Sequence, residues 1–348
     1  MKIRSLAAAL VLSVTALGGC ASETDADDEQ VVEGEDELNQ AAFTPKPSRH
    51  PIVLAHGFSA AATKPLWGFY KVTETLEADG HVVTSGDVSP FKPISVRARD
   101  LGRIVDSAQA LCRTKRGCDA SKVHVIAHSM GGLDARYMIS KLGYGDRIAS
   151  LTTVASPHRG TAIADAALRF VPRDENAMGK ALNGMLDLFG RMMTDDALAN
   201  DSDLRAALES ISEKYVNETF NREVKDDPRV TYLSYASVSN IMGIPNPKDD
   251  DLCEGTFKPK NGRDRMNALL VPIAPIVAHG WKLDPNDGMA TVASAKWGKF
   301  LGCLAADHVD QVGQPRHDTP NKHGGFDHFD FYRRLASRLD DEVAEHGR

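Results

Sequence analysis

The most constraining feature of the sequence is an apolar run that leads directly into a serine, V-H-V-I-A-H-S-M-G-G over residues 123–132. Small residues stand two positions either side of Ser129, where Ala127 and Gly131 leave room for a sharp strand-to-helix turn. The spacing is typical of a nucleophile elbow, G-x-S-x-G, with alanine in place of the first glycine. We therefore predict a nucleophilic serine; an ordinary strand-loop-helix junction is the alternative.

The order of the other elements predicts an α/β fold, mainly a parallel sheet flanked by helices. Short runs rich in Val, Ile and Thr alternate with helical stretches, with strands predicted at 52–55, 81–84, 123–127, 151–154 and 230–235 and helices at 94–115 and 132–142. Because ligands bind at the carboxyl ends of strands in open parallel sheets, Ser129 and the His56-Gly57-Phe58 turn should share one edge. The length from residue 46 onward suits one domain.

The amino terminus predicts export. Residues 1–19 combine a charged start with an apolar core too short to span a bilayer, as in a signal peptide. They end in L-G-G-C, which is similar to a bacterial lipobox, so we expect Cys20 to be lipidated after cleavage. Ala21 is not the acidic residue associated with inner-membrane retention, which favours the outer membrane or cell surface. Plain secretion is the alternative.

Residues 20–45 form an acidic segment with nine Asp or Glu residues and no Lys or Arg. Low hydrophobicity and like-charge repulsion predict a disordered tether. Without residues 1–45 the chain keeps 39 basic and 39 acidic residues, so residues 46–348 are neutral overall. This balance gives no indication of a nucleic-acid partner, which a basic patch would accompany.

Four cysteines follow Cys20, and an even number in an exported protein predicts two disulfides. Cys112 and Cys118 are close enough for a small loop, which would leave Cys253 with Cys303; the sequence leaves the other two pairings open. The spacing expected for a zinc site is missing.

A nucleophilic serine of this kind needs oxyanion donors, a base and an acid. The H-G turn after a buried strand predicts the Phe58 N–H as one donor, and the residue after the nucleophile predicts the Met130 N–H as the other. A carboxylate and an imidazole should follow later in the chain, and Asp287 and His308 are candidates. Spacing alone does not select them, since other histidines lie in the same third of the chain: His279, His317, His323 and His328.

With these residues in view, the chain resembles the secreted bacterial true lipases, calcium-dependent triacylglycerol lipases of the α/β-hydrolase fold. The likeness runs from about residue 51 to residue 339 and is strongest in the blocks 51–57, 126–132, 155–161, 286–288 and 308–314. It implies that Asp287 is the acid and His308 the base, and it is consistent with a Cys253–Cys303 bridge. Because lipases of this kind are often foldase-assisted, the resemblance also suggests a lipase-specific foldase as a partner.

The resemblance further implies a structural Ca²⁺ site and a lid. Asp264 and Asp310 would supply carboxylates and Gln314 a backbone carbonyl, the hard oxygen ligands that calcium requires. For Asp264 the alternative is surface pairing with neighbouring arginines. The lid region lies within residues 160–228, where a methionine-rich stripe has helical spacing, the alternative being a core-facing stripe: Leu182, Met185, Leu186, Phe189, Met192 and Met193.

The sequence thus predicts an ester hydrolase that acts on long-chain acylglycerols through an acyl-enzyme on Ser129, without an organic cofactor. Two alternatives remain. One is a lidless carboxylesterase or phospholipase that uses the same three residues. The other is a non-catalytic surface lipoprotein that keeps the hydrolase fold for binding.

Overall fold

In the part of the chain that the computed structural model describes, six parallel strands form one sheet. They are β1 (Ile52–Ala55), β2 (Val83–Ser85), β3 (Val123–His128), β4 (Ile148–Val154), β5 (Thr231–Val238) and β6 (Lys299–Ala305). Their order across the sheet is β2-β1-β3-β4-β5-β6, and every neighbouring pair is parallel. The carboxyl ends of all six strands therefore lie along one edge. The predicted α/β fold is confirmed.

The structure describes residues 43–58, 68–169, 203–259, 264–314, 320–321 and 324–347. The predicted signal peptide, Cys20, the acidic tether and the methionine-rich stripe at 182–193 lie outside the described residues. From Thr44 onward the chain forms one compact unit. None of the described helices has the length and apolar character needed to cross a bilayer.

Helices pack on both faces of the sheet. Among the described residues, the α-helices are α1 (Val72–Ala78), α2 (Ile94–Arg113), α3 (Gly131–Lys141), α4 (Ala162–Ala167), α5 (Leu204–Ile211), α6 (Glu213–Tyr215), α7 (Asn221–Glu223), α8 (Asp249–Leu252), α9 (Ala274–Val277), α10 (Val292–Ala295) and α11 (His328–His346). Single turns of 3-10 helix lie at Gly145–Arg147, Ile241–Gly243, Gly280–Lys282 and Asp310–Val312, and a π-helical turn at Val216–Phe220.

Two apolar clusters sandwich the central strands. Side chains of α2 and α3 cover one face of the sheet, and side chains of α1 and α11 cover the other. Strands β1, β3 and β4 are buried along their whole length. Parallel strands that are covered on both faces appear in a sequence as continuous apolar runs, and for this reason the sequence pattern predicted these strands.

The predicted strands are all present, with ends that move by up to three residues. Strand β6 was not predicted from the sequence. It lies at the edge of the sheet, where Lys299 is exposed and Gly302 interrupts the apolar pattern. Edge strands carry charges and glycines that hide the usual strand signal. The position of β6 at the edge of the sheet therefore explains why its sequence pattern did not predict a strand.

The four cysteines pair within the folded unit. Cys112 is bonded to Cys118, and Cys253 is bonded to Cys303. The first pair links the last turn of α2 to the loop that follows it, across a sequence separation of 6, and the second joins β6 to the segment that follows α8. The pairing that the sequence favoured is the one observed.

Candidate active site

Ser129 lies on a strained turn between β3 and α3. Its backbone is left-handed, with φ at 57°, which is uncommon for a residue with a side chain. The Ser129 N–H donates to the Val154 carbonyl at 3.0 Å, which anchors the turn to β4. A Cβ at Gly131 would stand 2.5 Å from the Ala55 carbonyl oxygen, so only glycine fits there. Ala127 is buried in the cluster beneath α2 and α3, where its methyl group is accommodated.

Ser129, His308 and Asp287 form one continuous chain of hydrogen bonds. The serine Oγ lies 2.9 Å from His308 Nε2, and His308 Nδ1 lies 2.8 Å from Asp287 Oδ2. Burial alone would raise the pKa of Asp287, but the facing His308 and the hydrogen bonds to the carboxylate outweigh it and lower that pKa. The arrangement can hold a proton taken from the serine on His308.

Asp287 is held in place from its other side by backbone. Its Oδ1 accepts from the N–H groups of Met289 at 2.9 Å and Ala290 at 2.8 Å. The His308 N–H donates to the Asp287 carbonyl at 2.9 Å, so the loops of these two residues are joined through backbone as well as side chains. Asp287 has no exposed surface.

The H-G-F turn after β1 packs directly against the nucleophile. A Cβ at Gly57 would come within 2.8 Å of the Ser129 Cβ. Phe58 and Met130 border the same pocket as Ser129. In the part of the chain that the structure describes, neither the Phe58 N–H nor the Met130 N–H donates a hydrogen bond. Both predicted oxyanion donors thus lie beside the serine.

A buried ion pair supports this turn from below. Arg97 on α2 donates through Nε to Asp134 Oδ2 at 2.8 Å, and its Nη2 donates to the carbonyls of His56 and Gly57 at 3.0 and 2.9 Å. Burial raises the pKa of Asp134 to about 6, and the charge of Arg97 limits the rise. The pair ties the turn to both helices that flank β3.

The sequence carries a signal that Arg97 is buried, although Arg97 was not among the predicted site residues. Arg97, Leu101 and Ile104 follow i, i+4, i+7 spacing, so a charge falls on the apolar stripe of α2. A charge on a buried stripe indicates a buried partner. Gln311 and His128, which contact the same site, were also missed; Gln311 stands within a block that the family resemblance quoted.

The pocket beside Ser129 is almost entirely apolar. It is bordered by residues from the strand ends, α4, α5 and the acid and base loops: Phe58, Ser129, Met130, Pro157, Thr161, Ile163, Ala164, Leu208, Ile211, Met289, Ala290 and His308. Most of these side chains belong to, or pack against, one apolar cluster at this edge of the sheet. A hydrocarbon chain would find apolar walls next to the serine.

The predicted metal ligands are close together and buried. Asn321 Nδ2 donates to Asp264 Oδ1 at 3.1 Å and to Asp310 Oδ2 at 2.9 Å, and the Gln314 side chain is also buried. Burial raises the pKa of nearby Asp307 to about 7, with a further rise from the like charge of Asp264. Among the described residues, no three Asp, Glu, His or Cys side chains are arranged to hold a metal. Two carboxylates would need carbonyl oxygens to complete a calcium site, and the hard-oxygen donor set fits that ion.

A second Ser-His-Asp chain lies at the opposite, amino-terminal edge of the sheet. His124 on β3 has Nδ1 at 2.7 Å from Ser150 Oγ and Nε2 at 3.0 Å from Asp340 Oδ1. Ser150 and His124 have no exposed surface. Asp340 also accepts from the Arg49 N–H at 2.7 Å, so this chain joins the start of the domain to α11.

The sequence is similar to those of known lipases. Triacylglycerol lipase 2 of Saccharomyces cerevisiae is 30% identical over 247 residues, a match that spans 69% of this chain and 60% of the yeast enzyme. The triacylglycerol lipase of Burkholderia plantarii is 28% identical with 90% of each chain covered, and that of Vibrio cholerae is 25% identical over 79% of this chain and 82% of the relative. The palmitoyl protein thioesterase family profile matches residues 51–220.

Solved structures show the same fold. A metagenomic carboxyl esterase has a TM-score of 0.59 at 18% identity and covers 85% of this chain and 78% of its own. The mature lipase BlEst2 of Bacillus licheniformis has a TM-score of 0.55 at 16% identity, with 84% and 94% covered. Taken with the parallel sheet, these likenesses show that the chain has the α/β-hydrolase fold, and its sequence is similar to those of triacylglycerol lipases.

Proposed function

We propose that this enzyme is a triacylglycerol lipase that hydrolyses long-chain acylglycerols through an acyl-enzyme on Ser129. The observation that carries the proposal is the unbroken hydrogen-bonded chain from Ser129 through His308 to Asp287, at the border of an apolar pocket. A serine with a positioned base and acid can attack an ester, and apolar walls favour acyl chains over polar substrates.

The reaction proceeds in two halves. His308 Nε2 accepts the Ser129 proton while Oγ attacks the ester carbonyl carbon, and the Phe58 and Met130 N–H groups stabilise the oxyanion. The intermediate collapses when His308 returns that proton to the leaving alcohol oxygen. Water then attacks the acyl-enzyme with His308 as base, which releases the fatty acid and restores Ser129. Asp287 stays ionised throughout and orients the imidazole, consistent with its lowered pKa.

A substrate series on purified protein tests the proposal. Triglycerides from short to long acyl chains, as emulsions, are compared with soluble short-chain esters, a phospholipid and a palmitoyl thioester. We expect the highest rate on emulsified long-chain triglycerides. Preference for soluble esters would indicate a carboxylesterase, preference for the phospholipid a phospholipase, and preference for the thioester the activity named by the matched family profile. Ser129→Ala provides the blank for every substrate.

A serine-reactive phosphonate separates the enzyme from a non-catalytic binding protein. Such a reagent bonds covalently only to a serine activated by its base. We expect one adduct, mapped by peptide mass spectrometry to Ser129, and none in the Ser129→Ala variant. A fully unlabelled wild-type protein would favour the binding-protein alternative.

We also propose that a structural Ca²⁺ is held by the carboxylates of Asp264 and Asp310 and the backbone carbonyl of Gln314. Supporting this, the two carboxylates are buried and share one Asn321 amide, beside a further buried carboxyl group at Asp307. When bound, the ion would offset their negative charge and brace the loop that carries His308.

Chelator titration with thermal unfolding tests the calcium proposal. We expect EGTA to lower the Tm and the activity of wild type, and added Ca²⁺ to restore both. Asp264→Asn should start from a lower Tm and no longer respond to chelator. A wild-type Tm that is indifferent to EGTA and to Ca²⁺ would contradict the proposal.

We propose that Cys20 is lipidated and anchors the enzyme at the outer membrane or cell surface, with residues 21–45 as the tether. The support is the L-G-G-C sequence after an export signal. Labelling with a palmitate analogue should mark the wild-type protein in the membrane fraction. Cys20→Ala should abolish the label, and a wild-type protein found unlabelled in the medium would indicate plain secretion.

Dependence on a foldase is tested separately. Recovery of full activity when the denatured chain is refolded alone would show that no foldase is needed. If activity is recovered only when a periplasmic partner protein is added during refolding, that partner is a foldase of this chain.

A further inference from the structure

Gln311 lies between the acid of the site and a second buried imidazole. Its Nε2 donates to Asp287 Oδ2 at 2.8 Å, and its Oε1 lies 3.0 Å from His128 Nε2. Gln311 and Asp287 have no exposed surface, and His128 is 4% exposed. Because bulk water does not compete for them, these hydrogen bonds are stronger than exposed ones.

The chemistry of the three groups determines the direction of each hydrogen bond. An ionised carboxylate can only accept, so the amide NH₂ of Gln311 must face Asp287 and its oxygen must face His128. His128 then has to donate through Nε2, which leaves Nδ1 without a proton. Within the described part of the chain, His128 Nδ1 is indeed buried without a hydrogen bond.

Two imidazoles thus lie near one carboxylate. The ring centroids of His128 and His308 are 4.6 Å apart. Oδ2 of Asp287 accepts from His308 Nδ1 and from Gln311 Nε2, so the glutamine amide stands between the carboxylate and His128. Burial, with a smaller contribution from His308, lowers the pKa of His128 to about 3. His128 therefore remains neutral where the enzyme works.

We propose that Gln311 is a positioning residue of the hydrolase, an inference that rests on the proposed function. Its amide aims the Asp287 carboxylate at His308 and holds His128 as the neutral Nε2–H tautomer. Only one of the two imidazoles can then exchange a proton with Ser129. Gln311 touches no reacting atom and acts through its two neighbours.

Steady-state kinetics on a soluble short-chain ester test the first half of this inference. Gln311→Glu keeps the size of the side chain but brings a second carboxylate against Asp287, and Gln311→Met removes both polar ends. We expect kcat to fall about tenfold or more in both variants while KM stays within about twofold, because the pocket is untouched.

The matched control is Gln109→Glu, since Gln109 is also buried but lies at the amino-terminal edge, where it donates to the Ala120 carbonyl and accepts from Arg147. Its kcat should equal that of wild type. A wild-type kcat in Gln311→Glu would overturn the inference, because the shape of the side chain would then suffice. A rise in KM with unchanged kcat would overturn it equally.

The second half is tested by the nitrogen chemical shifts of ¹⁵N-labelled histidine. Wild-type His128 should show a protonated Nε2 and a bare Nδ1, and Gln311→Met should show a mixture of both tautomers. A wild-type His128 protonated at Nδ1 would overturn the inference. The wild-type spectrum needs neither a folded variant nor an active enzyme, so a protein inert on every ester would refute the proposed function and leave the tautomer assignment standing.

Discussion

The two edges of the sheet carry the same three residue types in hydrogen-bonded chains of similar length. At the carboxyl edge, Ser129, His308 and Asp287 are joined at 2.9 and 2.8 Å. At the amino edge, Ser150 and Asp340 flank His124 at 2.7 and 3.0 Å. Distances alone therefore do not distinguish the proposed site from a structural network.

The difference lies in access and in backbone. Ser129 is half-buried on a left-handed turn beside two N–H groups and a pocket, whereas Ser150 is fully buried within β4. The imidazole of His124 is also reversed, with Nδ1 rather than Nε2 toward the serine. A serine, a histidine and an aspartate become a reactive set only where the fold adds a strained turn, an oxyanion site and an entrance.

Replacing each serine by alanine gives the largest expected contrast. Ser129→Ala should lower kcat by about 10⁴-fold or more, because no nucleophile remains. Ser150→Ala should leave kcat within about twofold and lower the free energy of unfolding by about 1 kcal/mol, because His124 loses a buried hydrogen bond. Ester hydrolysis and urea unfolding measure the two effects. A large loss of kcat in Ser150→Ala would break the comparison.

Amidation of each aspartate should give the next largest contrast. Asp287→Asn should lower kcat by about 10³- to 10⁴-fold, because the neutral amide neither holds the His308 imidazole in its orientation nor stabilises its protonated form. Asp340→Asn keeps an acceptor for His124 but turns its NH₂ toward the Arg49 N–H, so it should lower the free energy of unfolding by about 1–3 kcal/mol with kcat unchanged. Equal kcat values for the two variants would contradict the assignment of Asp287.

A methyl group added at Gly57 should have a smaller effect confined to catalysis. Its Cβ would meet the Ser129 Cβ at 2.8 Å and push the nucleophile out of position, so we expect kcat to fall by roughly tenfold to a hundredfold. Gly143→Ala is the control, because its left-handed backbone (φ 77°) is strained by any side chain but no atom lies within 4 Å of the added Cβ. That variant should lose about 1 kcal/mol of stability and no activity.

The effect expected to be smallest on activity is shared by both edges, since each buries a neutral imidazole. Burial lowers the pKa of His56 to about 4, so the unfolded chain takes up a proton there before the folded one does. Its contribution to stability is complete above about pH 6.5 and is lost as the pH falls toward 4.

Urea unfolding measures this loss. Between pH 7.5 and 5, His56 should account for up to about 2 kcal/mol, which His56→Gln should remove from the acid slope. The pKa of His124 is also lowered, by burial first, so His124→Gln should reduce the same slope from the other edge. An unchanged slope in both variants would place the acid sensitivity elsewhere.

The parts of the molecule that could be predicted from the sequence are those governed by local rules. The apolar runs indicated five strands, and the small residues around Ser129 indicated its turn, because both signals lie within a few neighbouring positions. The family resemblance selected Asp287 and His308 from several candidates, and the structure brings both to Ser129. Their catalytic roles stay predictions until the variants are measured.

What escaped prediction depends on packing between distant segments. Asp340 meets His124 across 216 positions, and Gln311 meets His128 across 183, so no local pattern indicates either contact. Arg97 resembles an ordinary helix charge until α2 is placed against the H-G turn. Such contacts follow from the three-dimensional arrangement of elements that the sequence indicates only one at a time.

The hydrogen bond from the His308 N–H to the Asp287 carbonyl has a consequence for protein engineering. The acid and base loops are tied by backbone, independently of which side chains they carry. Residues 286–308 therefore form a cassette: exchanged together between related enzymes, they should retain their mutual geometry, whereas either loop exchanged alone would have to rebuild it. Chimeras that recombine specificity in this fold are best cut outside that interval.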